Sequence, residues 1–277
     1  MIRTVARSLH RARPHALAAV VLLLTACGGY ELPTVEPRVT RGVPGFDTRS
    51  YPGPAVMRAW RDSSPYRWVG FYLTGAPCYT GTSWSGRRAE LEGMGWGLAV
   101  LFVGEQDWAR GADAHLADPP AQADPRCTRD NLSAARGAAD AATAHEAAAR
   151  EGFPAGTAVF LDVERVDSVS PQLAAYVKGW ADGVFERGRY EPALYAHGRN
   201  ASALYPVLVE AFARHRVARA PRLWVASTGG FGLERAPAES GFPHATVWQG
   251  VLDTRETWGG HALLIDQNVA ASGSPSR

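Results

Sequence analysis

Two carboxylates stand two positions apart in the segment Leu161-Asp162-Val163-Glu164. In a β-strand, residues i and i+2 point to the same face and lie about 6.6 Å apart along it. Two acids on one face repel each other and lose hydration, which raises the pKa of at least one of them. The spacing therefore predicts one protonated and one ionised carboxyl, as general acid catalysis requires. If Glu164 instead begins a solvent-exposed loop and pairs with Arg165, the spacing carries no chemistry.

Two further acids, Asp47 and Asp266, stand at the ends of the first and the last strand-like segments. Aromatic and amide side chains end other strand-like segments. Flat rings stack on the apolar faces of sugars, and carboxylates and amides bind sugar hydroxyls. The pattern predicts a saccharide site whose walls are formed by Tyr72, Tyr195, Trp224, Trp248 and Gln249. The competing interpretation, strongest for Trp224, is that these rings fill the interior of the protein.

Sequence signatures of other chemistries are missing. The chain has no GxSxG elbow, no phosphate-binding loop and no HExxH motif. It also lacks the CxxC and HxxxH spacings of a zinc site, so we expect no metal and no cofactor. Hydrophobic residues make up 46% of the chain and charged residues 20%, which excludes a disordered protein, a collagen and a coiled coil.

Continuous apolar runs alternate with helix-like segments along most of the chain. Runs such as RWVGFYL, GLAVLFVG and TAVFLDVE predict strands buried on both faces, since they do not alternate with polar residues. The predicted strands cover residues 44–48, 67–73, 97–104, 157–164, 192–198, 223–227, 245–250 and 263–268. The clearer predicted helices cover residues 53–62, 86–94, 129–151, 171–187 and 200–215.

This alternation predicts a parallel sheet with helices outside it. Eight such units fit a single-domain α/β fold, the (β/α)8 TIM-type barrel, whose active sites lie at the C-terminal ends of the strands. A doubly wound open sheet is the alternative, although no GxGxxG turn follows the first strand. In a barrel we expect the four carboxylates to converge within about 10 Å at the C-terminal mouth. They are Asp47, Asp162, Glu164 and Asp266, with Glu164 as the expected general acid.

The N-terminus carries the pattern of an export signal. Four arginines precede nine apolar residues, 16–24, which at about 1.5 Å each are too short to span a bilayer. Leu24-Thr25-Ala26-Cys27 resembles a bacterial lipobox, in which Cys27 becomes the lipidated first residue. The sequence thus predicts a signal peptide over 1–26, a lipidated tether over 27–43, a barrel over 44–271 and a disordered tail over 272–277. An ordinary signal peptide with a chance cysteine is the alternative.

Removal of the signal peptide would also change the charge balance. Four of the 29 basic residues lie in it and no acidic ones, so the formal charge of +2 becomes −2. Binding of nucleic acid requires a basic patch that neutralises phosphates, and we expect no nucleic-acid partner.

The three cysteines fit the same compartment. Lipidation of Cys27 leaves Cys78 and Cys127 as a pair. In an oxidising compartment we expect these two to form a disulfide, closing a loop of about 50 residues. The sequence therefore predicts an exported protein, which is anchored to the cell membrane or envelope by a lipid at its N-terminus.

Four short motifs, in their order and spacing, resemble a known family. They are Gly45-Phe46-Asp47-Thr48, Phe160-Leu161-Asp162-Val163-Glu164, Val247-Trp248-Gln249 and Ile265-Asp266-Gln267-Asn268. Over about residues 42–271 the chain is similar to the bacterial glycoside hydrolase-like domain once called domain of unknown function 1906. That family in turn resembles the lysozyme-like muramidases of glycoside hydrolase family 25. The resemblance implies a (β/α)8 barrel in an exported protein with a cell-wall glycan as substrate, and it matches the four acids to the muramidase pocket, with Glu164 at the proton donor.

The chain departs from the family by an insertion over 104–129, which contains Cys127 and would overhang the pocket. Three functions remain open: a lipid-anchored glycosidase acting on a peptidoglycan-type polysaccharide, a barrel that binds envelope glycan without cleaving it, and a structural lipoprotein. In the third, the acids would be sealed in ion pairs with arginines such as Arg49. An open acidic cleft with aromatic walls would favour the first two.

Overall fold

A computed structural model of the protein describes residues 41–75, 82–107 and 129–277. Within these residues, eight strands close into one barrel in the order β1 to β8. The sheet is therefore the predicted barrel and not the open sheet that was the alternative. The strands are β1 Val43–Asp47, β2 Trp68–Tyr72, β3 Gly97–Val103, β4 Ala158–Val163, β5 Glu191–His197, β6 Leu223–Ala226, β7 Ala245–Trp258 and β8 His261–Ala270. The α-helices are α1 Pro54–Ser63, α2 Arg88–Gly93, α3 Ala134–Arg150, α4 Pro171–Glu186 and α5 Gly198–Arg214. Short 3-10 helices cover Arg129–Asn131 and Pro237–Ser240.

The last strand corrects the predicted topology. Strands β1 to β7 pair in parallel, but β8 is antiparallel to both β7 and β1. The turn Gly259-Gly260 has positive φ at both positions, 56° and 80°, which is the backbone of a two-residue hairpin. A hairpin turn reverses the chain, so β7 and β8 lack the crossover helix that a parallel eighth strand requires. The barrel is therefore TIM-like, with an antiparallel closing strand.

The far end of this hairpin packs against α1 on the outside of the barrel. The indole N–H of Trp60 donates to the carbonyl of His261 at 2.9 Å. A Cβ on Gly259 would lie 2.8 Å from the Cβ of Ala59, so only glycine permits this approach. The hydroxyl of Tyr66 donates to Glu256 at 2.7 Å. These contacts hold the hairpin beside α1.

The barrel lumen is filled with side chains below the mouth. Trp224 is fully buried at the centre of this lumen cluster, and its ring contacts those of Trp68 and Phe160 edge to face, at 5.5 and 5.7 Å between centroids. Residues of alternate positions on neighbouring strands complete the cluster: Ala99, Leu101, Ala158, Ala193, Val247 and Ala270. This packing closes the lumen from below, so polar groups above it belong to the C-terminal mouth.

The segment 272–277 is ordered against the opposite end of the barrel, and the prediction of a disordered tail is wrong. Ser276 is 2% exposed. Its hydroxyl accepts from the N–H of Val100 at 2.8 Å, and its carbonyl accepts from the N–H of Ala158 at 2.9 Å. These bonds satisfy backbone groups of β3 and of the first residue of β4, which explains why a short polar segment is fixed there.

Several predictions fall outside the described residues. The signal peptide, nearly all of the tether and Cys27 lie before residue 41, and Cys78 and Cys127 lie in the two internal gaps. Most of the insertion over 104–129 lies in the second gap. None of the helices in the described ranges has the length and apolar composition of a membrane span.

Candidate active site

Asp162 and Glu164 lie at the C-terminal end of β4. Ala158 and Phe160 of this strand belong to the lumen cluster, so the alternation along the strand turns Asp162 toward the lumen as well. Asp162 is 6% exposed, whereas Glu164 follows the strand and its side chain is exposed. Burial, and to a smaller extent the charge of Glu164, raises the pKa of Asp162. One acid of the pair is therefore buried and the other faces solvent.

Asp47 and Asp266 face each other across the β1–β8 pairing. Asp47 is the last residue of β1, and its register partner on β8 is Asp266. The sequence predicts that Asp266 reaches the mouth because it stands at the C-terminal end of a parallel strand. This prediction of the strand direction is wrong, because β8 is antiparallel to its neighbours. Asp266 reaches the same mouth from the middle of β8, where it is partly buried.

Gln249 of β7 joins these two carboxylates. Its Nε2 donates to Oδ2 of Asp47 at 3.0 Å and to Oδ2 of Asp266 at 3.1 Å, so the two oxygens lie within about 6 Å of each other. Its Oε1 accepts from the hydroxyl of Tyr195 at 2.7 Å. Gln249 is 2% exposed, and both ends of its amide are engaged by protein groups. Its amide therefore holds the two carboxylates, instead of forming the wall of a sugar site that the sequence predicts.

Asn268 is a site residue that sequence reasoning missed. Its Nδ2 donates to Oδ2 of Asp47 at 2.8 Å, and its Oδ1 accepts from the indole N–H of Trp224 at 3.0 Å. It is fully buried. The available signal was its spacing, because Asn268 stands two positions after Asp266 on one strand and so shares its face.

The two predicted tyrosines lie at the mouth, whereas the two tryptophans do not. The hydroxyl of Tyr72 donates to Oδ1 of Asp47 at 2.9 Å, and Tyr72 and Tyr195 are both half-buried. Trp224 is 0% exposed within the lumen cluster. Trp248 is also 0% exposed, packs against Phe231 and donates to the carbonyl of Ser227 at 2.6 Å. Since neither indole has a free face, the prediction that they stack on a sugar is wrong.

Desolvation raises the pKa of each of the four carboxyls, but their surroundings differ. For Asp47, hydrogen bonds from Asn268, Tyr72 and Gln249 oppose the rise in pKa that desolvation causes. The pKa of Asp162 rises well above its ordinary value through burial and through the charges of Glu164 and Asp47. Hydrogen bonds therefore favour the ionised form of Asp47, whereas burial and neighbouring charges favour the protonated form of Asp162.

The other two carboxyls have intermediate environments. Desolvation and the charge of Asp47 raise the pKa of Asp266 to about 8, although the N–H of Asp253 donates to it and opposes the rise. Desolvation and the charge of Asp47 also raise the pKa of Glu164. Because the Glu164 side chain is exposed, solvent screens this effect and the rise is smaller than for buried Asp162. The charge of Asp47 thus contributes to the raised pKa of each of the other three acids.

Oδ1 of Asp162 is buried and has no hydrogen-bond partner in the part of the chain that the structure describes. No arginine in the described ranges forms an ion pair with any of the four site carboxylates, which removes the support for acids sealed against arginine. Across the same ranges, no group of three or more His, Cys, Asp or Glu side chains has the arrangement of a metal site. A buried carboxyl oxygen without a partner is able to accept a hydrogen bond from an N–H or O–H group of a ligand.

A closed β/α barrel with carboxylates and tyrosines at its C-terminal mouth is the arrangement expected of a glycoside hydrolase-like barrel. Residues 58–270 match the family described as Rv2525c-like, glycoside hydrolase-like domain. The chain belongs to this family, and the resemblance carried by the four sequence motifs is confirmed.

Solved structures of other bacterial proteins have the same fold. An uncharacterised protein of B. stearothermophilus is 19% identical, with a TM-score of 0.56 over 83% of this chain and 96% of that chain. A bacterial lysozyme from Streptomyces coelicolor is 16% identical, with a TM-score of 0.51 over 83% of this chain and 93% of that chain. The modular autolysin LytC from Streptococcus pneumoniae, in complex with a synthetic peptidoglycan ligand, is 12% identical, with a TM-score of 0.52 over 82% of this chain and 46% of that chain. At such low sequence identity, the similarity to these structures shows a shared fold and nothing further. No curated protein matches the sequence.

Proposed function

We propose that the protein is an exported, lipid-anchored glycoside hydrolase that cleaves a cell-wall polysaccharide of the peptidoglycan type. The observation that carries this proposal is the carboxylate cluster at the mouth, in which the four acids have unequal environments. Carboxyls with different protonation at neutral pH provide the acid and the base or stabilising charge of glycoside hydrolysis. The family and the fold shared with a lysozyme and an autolysin support the choice of a glycan as substrate.

The environments suggest a role for each acid. Glu164 is exposed at the mouth with a raised pKa, which suits a donor that protonates the leaving oxygen. Buried Asp162 has an unpartnered oxygen, which suits it to accept a hydrogen bond from an acetamido N–H of the substrate and so to orient that group. Asp47 and Asp266, held by Gln249, would bind hydroxyls and tune the other two. Tyr72 and Tyr195 would form the walls.

Release of reducing ends from purified peptidoglycan tests the proposal. We expect the wild type to release them, and Glu164→Gln to lose at least about a hundredfold in rate while it keeps the fold and the affinity for glycan. Glu210→Gln is the matched control, because Glu210 is exposed on α5, away from the mouth, and should retain wild-type activity.

Two results would contradict hydrolysis. A Glu164→Gln variant that cleaves as fast as the wild type would remove Glu164 from the mechanism. A wild type that binds the glycan and releases no ends would make the protein a non-catalytic envelope glycan-binding lipoprotein, which is the alternative function.

A further inference from the structure

The hydrogen-bonded pairing of β3 with β4 ends before the strand reaches Glu164. The last register pair is Val103 with Asp162. Beyond it, the chain of β3 turns away at Gly104, where a Cβ would lie 2.1 Å from the hydroxyl of Tyr176. Glu164 therefore has no neighbouring backbone of β3 to hold it, although the proposed mechanism depends on where its side chain points.

The side chain of Gln106 takes the place of the missing backbone. Its Nε2 donates to the carbonyl of Asp162 at 3.0 Å, and its Oε1 accepts from the N–H of Glu164 at 3.0 Å. In a parallel pairing, the N–H and C=O of one residue make this same pair of bonds, to the carbonyl before and the N–H after the residue opposite. The Gln106 amide thus extends the ladder by one step, opposite Val163.

The loop that carries Gln106 is itself fixed to two helices. Glu105 forms an ion pair with Arg136 of α3 at 2.9 Å, and its N–H donates to the hydroxyl of Tyr176 on α4 at 3.1 Å. Asp107 accepts a hydrogen bond from Ser170, the N-cap of α4. Gln106 is 1% exposed, and its Nε2 also donates to the carbonyl of Gly104 at 3.1 Å. The amide is therefore a rigid support that cannot turn to solvent.

We propose that Gln106 is a positioning residue for Glu164. By holding the Glu164 backbone in strand geometry, it keeps the Glu164 side chain on the same face as Asp162. The proposal rests on the proposed function for its catalytic consequence, but the support that Gln106 gives to the Glu164 backbone is independent of that function.

The test compares the wild type with Gln106→Met and Gln267→Met. Methionine has the length of glutamine and fills the same space without a donor or acceptor. Gln267 of β8 is the matched control, since its amide donates to Glu256 of the neighbouring strand β7, on the outer face of the barrel. Two quantities are measured: hydrogen exchange at the Glu164 amide by NMR, and kcat and KM for release of reducing ends from solubilised peptidoglycan.

We expect Gln106→Met to speed exchange at the Glu164 amide at least about tenfold. We also expect it to lower kcat about tenfold or more while KM changes less than about twofold, because a misdirected donor affects the reaction and not binding. Gln267→Met should change neither quantity.

Two results would overturn the proposal: unchanged exchange at Glu164 in Gln106→Met, or faster exchange with a wild-type kcat. A wild type without turnover contradicts the proposed hydrolysis instead, and hydrogen exchange then decides by itself whether Gln106 supports Glu164.

Discussion

Replacing Asp266 with Asn is expected to stabilise the folded protein at neutral pH. Desolvation and the charge of Asp47 raise the pKa of Asp266 from its ordinary value of 3.8 to about 8. At pH 7 the folded protein therefore keeps a proton on Asp266 that the unfolded chain releases. A group with this preference opposes folding, and an uncharged amide removes the cost.

The magnitude follows from the pKa difference, at about 1.36 kcal/mol per pKa unit. Below pH 3.8 both states are protonated, so Asp266 has no such effect on stability. As the pH rises, the unfolded state ionises first, and the stability of the folded state falls until the pH reaches about 8. At pH 7 this cost is about 4 kcal/mol.

The asparagine side chain of the variant would lose one hydrogen bond, which offsets part of this stabilisation. The oxygen of the new side chain could still accept from the N–H of Asp253, but its NH2 group would meet Nε2 of Gln249, which now donates to the carboxylate at 3.1 Å. Losing this bond costs about 1–2 kcal/mol. We expect a net stabilisation of about 2 kcal/mol at pH 7, and a destabilisation of about 1–2 kcal/mol at about pH 3.5.

Asp182→Asn is a control with the opposite sign. Desolvation opposes the shift, but hydrogen bonds from Lys178, Arg214 and His215 outweigh it and lower the pKa of Asp182. Asp182 therefore stabilises the folded state at neutral pH, and this contribution is lost as the pH falls through the lowered pKa. Because the site is partly exposed, its loss should cost at most about 1 kcal/mol at pH 7.

Urea denaturation of the wild type and both variants at the two pH values measures these changes. The reasoning predicts that the effect of Asp266→Asn changes sign between them. If that variant is destabilised equally at both pH values, Asp266 is ionised in the folded protein, and the electrostatic description of the mouth is wrong.

Three further predictions concern the N-terminus, the cysteines and the buried amide. Cys27→Ser should move the expressed protein from the membrane fraction to the soluble fraction, since a diacyl anchor is lost; identical fractionation would refute the lipobox. Thiol titration of the exported protein should find no free thiol at Cys78 or Cys127, and two reactive thiols would exclude the disulfide. Asn268→Leu should lower the free energy of unfolding by about 1–3 kcal/mol, because it leaves Asp47 and the Trp224 N–H each short of a partner; an unchanged urea midpoint would contradict this.

The elements that carry the acids could be predicted because each acid interrupts or ends an apolar run. In TAVFLDVE, a carboxylate after continuous hydrophobic residues is costly anywhere except at a strand end with access to solvent or a partner. The segments of helix-like composition likewise predicted α1, α4 and α5 within about two residues of their observed bounds. The sequence therefore contains the barrel and the location of its mouth.

The direction of β8 and the faces of the tryptophans could not be read in the same way. The segment Trp258-Gly259-Gly260-His261 contains the hairpin signal, but the strand before it continues nine residues beyond Gln249 with mixed polarity. For Trp224 and Trp248, the difficulty is that strands buried on both faces show no polar alternation. Inward and outward positions then look alike until one residue is fixed by a contact.

The four acids could be predicted as site residues from the sequence, but the hydrogen bonds from amides that hold Asp47 could not. Asp47 is bonded to Gln249 and Asn268, which lie 202 and 221 positions away along the chain, so no local pattern links them. Both amides donate to Asp47 and neither donates to the Asp162 carboxyl, and this difference, rather than the number of acids, makes the surroundings of the two carboxyls unlike. The acids can be recognised within short sequence segments. Their protonation, however, depends on hydrogen-bond donors that only the closed barrel brings to them. A barrel with the same four acids and apolar residues in place of these amides would therefore hold four carboxyls with more nearly equal pKa values, without the division between protonated and ionised carboxyls that hydrolysis needs.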